Sequence, residues 1–219
     1  MQRLHEESII IDATCPLASV GNHYEKWLEG GVTAIAPTVA INEKIESTMH
    51  KIGVWYKRLE SNPEKLIHVT TVEDIYKAKR ENKLGIIFHF QNTLPYEMDL
   101  NMVEIYHKLG VRMVQLCYNV KNFVGDGCAE RTDCGLSDFG LKVIAEMNRV
   151  GIVVDLSHTG YRTTMEAIEA SQKPVIFSHS NVKALCDSAR NIKDDQIKAV
   201  ASKDGVVGIN GTQYFVNKN

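Results

Sequence analysis

The feature that most constrains this chain is the regular return of a short apolar run. SIIIDAT (8–14), VTAIAPTVA (32–40), LGIIFHFQ (84–91), VRMVQLCY (111–118), IVVDLSH (152–158), PVIFSHS (174–180) and VVGINGT (206–212) all have strand length. Between them, residues 42–62, 98–110, 137–151, 161–172 and 193–205 carry apolar residues at three-to-four spacing, the pattern of amphipathic helices. LIHVTT (66–71) reads as a short extended piece leading into a helix over 72–83, with Thr70 or Thr71 as its cap. Ser137 is placed to cap the helix at 137–151, and Gly110 and Gly151 to end two helices.

The sum is a βα unit repeated about seven times. Strands that are apolar throughout need cover on both faces, so the sheet is expected to be parallel. A doubly wound open sheet and a (β/α)8 barrel both fit. No GxGxxG follows the first strand, which removes one support for a dinucleotide fold. In a barrel, chemistry gathers where the strands end. Polar residues cluster there: Asp12, Thr14, His89, Gln91, Tyr118, His158, His179, Ser180 and Asn210. The polar stretch 119–135 is long for a connection in a compact domain, and such loops are usually functional.

Two of these strands end in Ser-His. Neighbouring strands lie about 5 Å apart, so His158 and His179 are placed to share one metal ion. Neutral imidazole suits Zn, Fe, Ni or Cu. The alternative is a pair of histidines that cap the barrel by bonding loop carbonyls. By strand parity Asp155 does not share a face with His158; a supporting carboxylate and a purely structural hydrogen bond both remain open. Arg190 suits bidentate binding of a carboxylate, or is a charge at a helix end. His5, His23, His50, His68 and His107 receive no role.

Bulk properties narrow the function classes. The net charge is -2 and no Lys/Arg cluster stands out, so no nucleic-acid partner is expected. The apolar runs are too short to span a bilayer, and no signal-peptide core is seen, so no membrane partner is expected either. The five cysteines form no CxxC and read as reduced thiols of a cytoplasmic protein, although Cys128 and Cys134 share a loop in which they could pair.

LGVRMVQLCYN, GLSDFGLKVIAEMNRVGIVVDLSH and KPVIFSHSNVKALCDSARNIKDDQIKAVASKDGVVGIN resemble the membrane (renal) dipeptidase family of metallopeptidases. The likeness covers nearly the whole chain, and the DLSH, SHS and ARN blocks carry most of it. It implies an amidohydrolase-like (β/α)8 barrel and a two-zinc centre that hydrolyses dipeptides. By the same resemblance His158 and His179 bind one zinc, and Arg190 holds the substrate carboxylate.

The departures reshape that expectation. The family's His-x-Asp metal motif on the first strand, after Asp-Gly, is replaced by Asp12-Ala13-Thr14-Cys15-Pro16. The bridging glutamate of the third main strand becomes Gln91, and a substrate-facing histidine becomes Tyr118. The aspartate of an eighth strand has no counterpart. The expected site is therefore one zinc held by His158, His179, Gln91 and water, with Gln91 and Asp12 as catalytic candidates. Arg190, Tyr118 and Asn210 are the substrate-binding candidates. Cys15 is a soft replacement ligand or a small buried hydrophobe.

The expected protein is one domain, 1–219, of an incomplete barrel with about seven strands and its C-terminal part missing. It is expected to be a metallo-dipeptidase of weak or absent activity, acting on a dipeptide or similar small amide with a free carboxylate, and to self-associate through its open edge. The alternative is a metal-poor relative that binds a small carboxylate.

Overall fold

The computed structural model describes residues 2–21 and 23–217. Helix α1 (Gln2–Glu7) precedes strand β1 (Ile11–Asp12). A 3-10 turn at Pro16–Ser19 and helix α2 (Tyr24–Glu29) lead into β2 (Ala34–Ile35) and β3 (Thr38–Ala40). Helix α3 (Ile45–Ser61), strand β4 (Leu66–His68) and helix α4 (Val72–Glu81) follow. Strands β5 (Leu84–Ile86) and β6 (Phe88–Phe90) come before α5 (Asn101–Lys108) and β7 (Val111–Gln115). The chain continues through α6 (Asp138–Val150), β8 (Val153–Asp155), α7 (Tyr161–Ala170) and β9 (Val175–Phe177). It ends with α8 (Asp194–Ala201), β10 (Val206–Val207) and the short α9 (Gln213–Val216).

All strand pairings are parallel. One sheet runs β3-β6-β7-β8-β9-β10, its strands following chain order, with β4 and β5 of the other sheet falling between β3 and β6. The other runs β1-β2-β5-β4. The two sheets are one curved wall. β2 and β3 are halves of the strand expected at 32–40, interrupted at Pro37, which has no N–H to give to a ladder. β5 and β6 are halves of the strand at 84–91, and Ile87 N still donates to Ile35 O at 2.9 Å across the break. β4 sits out of chain order, on the side of β5 away from β2. β1 and β10 end the wall, and among the described residues no pairing joins them. The barrel is therefore open on that side.

Helix limits follow local chemistry closely. Thr71 and Asp74 form a reciprocal capping box at the start of α4. Ser137 Oγ accepts from Gly140 N at the start of α6. Gly110 and Gly151 take left-handed φ values of 85° and 92°. The short helices α1, α2 and α9 are not foreseen by the sequence pattern, because six residues or fewer show too little periodicity.

Strands are shorter than expected at their C-terminal ends, and Tyr118 lies beyond the end of β7 rather than within it. At this rim side chains replace the ladder. The Gln115 amide donates to the carbonyls of both Gln91 and Cys117 at 2.6 Å. The core below is apolar and fully buried around Phe88, Phe90, Val114, Leu116, Val154, Leu156 and Phe177.

Candidate active site at the C-terminal rim of the wall

His158 and His179 follow β8 and β9, which pair directly. Their Nε2 atoms lie 2.9 Å apart. Of the two roles open to Asp155, the structure shows the supporting one: its carboxylate reaches His179 through Ser178, and among the described residues no hydrogen bond joins it to His158. Strand alternation stops at Asp155, and His158 adopts a left-handed backbone with φ 65°. Asp155 is fully buried beneath the histidines. Its carboxylate accepts from Ser157 N, Ser178 N and Ser178 Oγ at 2.5–3.0 Å. His89 Nε2 stands 3.4 Å from Asp155 Oδ2, within ion-pair range but outside hydrogen-bond geometry. Burial alone would raise the Asp155 carboxyl; His89, His179 and Ser178 outweigh it and hold the group well below the usual carboxylate range.

Proton bookkeeping decides what the two imidazoles present to each other. Ser178 donates to Asp155, so its oxygen can only accept from His179 Nδ1, 2.7 Å away. Thr14 Oγ1, 3.0 Å from the same nitrogen, donates to Ala13 O. His179 therefore carries its proton on Nδ1. His158 Nδ1 donates to Asn119 Oδ1 at 2.6 Å. Both Nε2 atoms are left with lone pairs, and they face one another. Such an arrangement repels unless a cation lies between. A proton is a poor candidate. Burial, then the Arg190 cation and His179, hold His158 down at about 2. Burial, opposed by Asp155 and reinforced by Arg190, holds His179 at about 4.

A divalent metal fits the pair. The separation approaches the roughly 3.3 Å expected of two nitrogens on one tetrahedral zinc. The third donor is less well prepared. Gln91 Nε2, not Oε1, points to His179 Nε2 at 3.3 Å, while Oε1 accepts from Thr38 Oγ1. Holding a metal requires the amide to turn over, which the Thr38 hydroxyl, a donor or an acceptor, tolerates. Among the described residues no cluster of three His, Cys, Asp or Glu side chains forms a metal site.

The other expected residues gather in one cavity of about 1070 Å³. Asp12, Gln91, Tyr118, His158, His179, Arg190 and Asn210 all line it. Tyr118 stacks on the His158 ring at 4.3 Å. Arg190 is buried and donates only to neutral oxygens, Ser180 Oγ and His179 O. No carboxylate lies within ion-pair range of it among the described residues. The reading of Arg190 as a surface charge at a helix end is thereby corrected. Asp12 folds its carboxylate back onto Thr14 N at 3.3 Å, and Asn210 accepts from Thr212 N. Thr14 touches the back of the His179 ring, so it supports that ring rather than replacing a ligand. Cys15 is buried in the hydrophobic core and is not part of the cavity lining, as the small-hydrophobe reading requires; burial and Asp12 push its thiol up to about 12. Cys128 and Cys134 are unpaired, like the other three cysteines.

Sequence reasoning missed Asn119 and Ser178 as partners of the site, and it placed His89 among the polar strand ends without a role. The length of the 119–135 loop was the available signal for Asn119. Ser178 could have been found from the repeated Ser-His.

At the C-terminal rim of a parallel α/β wall the chain thus carries a histidine pair and a buried arginine. The chain matches the family described as Membrane dipeptidase (Peptidase family M19) over residues 1–219, and it belongs to that family. It is 33% identical over 179 residues to an uncharacterized dipeptidase of Schizosaccharomyces pombe, and 30% identical over 179 residues to dipeptidase aclJ of Aspergillus oryzae. Each alignment takes in 80% of this chain, but only 43% and 42% of those proteins. An amidohydrolase of Pseudomonas aeruginosa superposes with a TM-score of 0.90 at 41% identity, covering 95% of this chain and 64% of that one. A metallo peptidase of Rhodobacter sphaeroides, solved with a phosphinate mimic of the dipeptide L-Ala-D-Ala, shares the fold with a TM-score of 0.88 at 17% identity, covering 96% of this chain and 76% of that one. The chain thus spans less than half the length of these curated relatives.

Proposed function

We propose that this protein is a metal-dependent hydrolase of a dipeptide, or of a similar small amide with a free carboxylate, working with one zinc ion. The observation that carries the proposal is the pair of neutral imidazoles whose Nε2 lone pairs converge at 2.9 Å beside a buried, uncompensated Arg190. His158, His179 and Gln91 would hold the ion. When bound, it supplies Lewis acidity to a scissile carbonyl and acidifies water. The protein's own groups do the rest. Asp155, through Ser178, fixes the His179 ring and places a negative charge behind it. Arg190 receives the substrate carboxylate. Tyr118 and Asn210 line the same cavity, and Asp12, a carboxylate of its lining, is the candidate for proton transfer.

Metal analysis of the intact protein, followed by turnover of a dipeptide panel with added zinc, tests the proposal. About one zinc per chain with slow turnover supports it. Two tightly bound zinc ions with turnover on the order of 10 per second would overturn the single-ion reading. One observation favours a second reading, that of a metal-poor relative binding a small carboxylate: the amide of Gln91 offers N–H, not oxygen, to His179. Carboxylate binding without metal uptake would establish it.

The same reading treats 1–219 as part of a single barrel domain in a cytoplasmic, self-associating protein. Support for the domain comes from the longer family members it matches. Protected amides at Ile11 and Val206 in the longest natural form of the protein are expected if further polypeptide closes the wall. Rapid exchange there would count against it. Sedimentation and cell fractionation test self-association and location.

A further inference from the structure

The loop at 119–135 is tied to the rim by more bonds than a connection needs. Asn122 alone donates to Asn92 Oδ1, Thr93 Oγ1 and Leu116 O, and accepts from Val124 N and Gly125 N. The part nearest the histidines has a sharper geometry. Asn119 and His158, far apart in sequence, both hold left-handed backbones, with φ 63° and 65°. Each backbone is gripped by the same short segment. Cys128 N donates to His158 O at 2.7 Å, and Ala129 N donates to Asn119 O at 2.8 Å. Gly127 forms an antiparallel bridge with Thr159. A Cβ at Gly127 would collide with the backbone of Asn119 and Val120, so only glycine permits this approach.

We infer that residues 127–129 are a brace whose purpose is to aim the Asn119 side chain at His158, making Asn119 the positioning residue that fixes which His158 nitrogen is free. The physical argument has two steps. Left-handed backbones are uncommon for residues other than glycine, and these two are held in tight turns, His158 by Thr159 N donating to Leu156 O and Asn119 by Val120 N donating to Tyr118 O. Here two such residues are joined through one hydrogen bond, Asn119 Oδ1 to His158 Nδ1, at 2.6 Å. That bond keeps the imidazole proton on Nδ1. Without it, the neutral ring is free to place its proton on Nε2, facing His179, where a lone pair is needed. The brace therefore does for His158 what Ser178 and Asp155 do for His179, but from a loop instead of a neighbouring strand.

The inference rests on the metal-site reading for its purpose, but not for its geometry, and the test separates the two. The nitrogen-15 spectrum of the His158 ring in the metal-free, intact protein reports the tautomer directly. Co²⁺ alone, followed by its visible absorption, reports affinity. Asn119→Gly keeps the backbone freedom and removes the acceptor; Asn119→Asp keeps both. In Asn119→Gly the His158 proton is expected to redistribute towards Nε2. Co²⁺ affinity should fall roughly 10- to 100-fold, as for other partners of metal-binding histidines. Asn119→Asp should retain the Nδ1–H signal and remain within a few-fold of the parent. Gly127→Ala should move the tautomer as Asn119→Gly does, although it touches neither ring; if it fails to fold, the Asn119 pair decides alone. An unchanged His158 spectrum in Asn119→Gly, or equal losses of Co²⁺ affinity in the two Asn119 variants, would overturn the brace. If the parent takes up no Co²⁺, the metal reading falls, and the metal-free spectrum still decides the inference.

Discussion

Two sectors of the rim meet at the same cavity and are built on opposite principles. The β8–β9 sector is dense: Asp155, Ser157, Ser178 and Ser180 are buried, and their hydrogen bonds converge on His179 and Arg190. The β1 sector is thin. β1 is two residues long, has one partner strand, and leaves Ile11 exposed on the open side. It offers the site an aspartate turned onto its own backbone, a threonine and a proline. The difference teaches where capacity for metal resides. Side chains that must hold a cation need second partners to hold them: the β8–β9 sector supplies Ser178 and Asp155, the β1 sector the Thr14 hydroxyl alone.

The comparison can be broken first at its two aspartates. Asp155→Asn should cost about 3 kcal/mol, because a buried carboxylate with three donors loses its charge-assisted bonds. Asp12→Asn should change stability by less than about 0.5 kcal/mol, as half-exposed substitutions usually do. Urea unfolding of both variants measures this, and equal losses would erase the distinction between the sectors.

Metal uptake is the next contrast. His179→Ala should lower Co²⁺ affinity by ~100-fold or more, since a ligand is removed outright. Thr14→Val, which removes only a hydroxyl behind the ring, should lower it by less than about tenfold. Titration calorimetry with Co²⁺ compares them directly. A Thr14 effect as large as that of His179 would make the β1 sector part of the metal site.

Charge is a milder lever. Gln91→Glu should raise Co²⁺ affinity roughly tenfold by putting an anion beside the two imidazoles. No change would show that Gln91 keeps its amide on Thr38 and takes no part.

The smallest effect lies far from the rim and serves as a baseline. Asp74→Ala removes one half of the α4 capping box and should cost about 1 kcal/mol. Slight burial raises the Asp74 carboxyl, but bonds from Thr70 and Thr71 outweigh it and hold the group below its usual range. A depressed folded value means that the contribution is present above the unfolded pKa, near 3.9, and is lost as pH falls through the lower folded value. The stability gap between parent and variant should therefore be constant above about pH 5 and close below about pH 4. A gap that widens in acid would reverse the sign of that linkage.

Much of this protein is determined by its sequence alone. Apolar runs alternating with helical periodicity specify a parallel wall with helices between strands, because burial on both faces and right-handed crossovers leave few other solutions. Local capping chemistry at Thr71, Ser137, Gly110 and Gly151 places helix ends without reference to the rest of the chain. The pairing of His158 with His179 is equally legible, since adjacent parallel strands bring their ends together wherever the barrel closes. The folded structure alone decided what those residues are to one another. Strand parity could not give Asp155 its partner, because the carboxylate reaches His179 through Ser178 on the neighbouring strand. Nothing local says that Asn119 meets His158 across 39 positions, that Gly127 is glycine because Asn119 passes against it, or that Arg190 is buried without an anion. These are contacts between segments distant in sequence, and their free energy depends on burial and on which polar groups remain unpaired. Only the assembled chain defines those quantities.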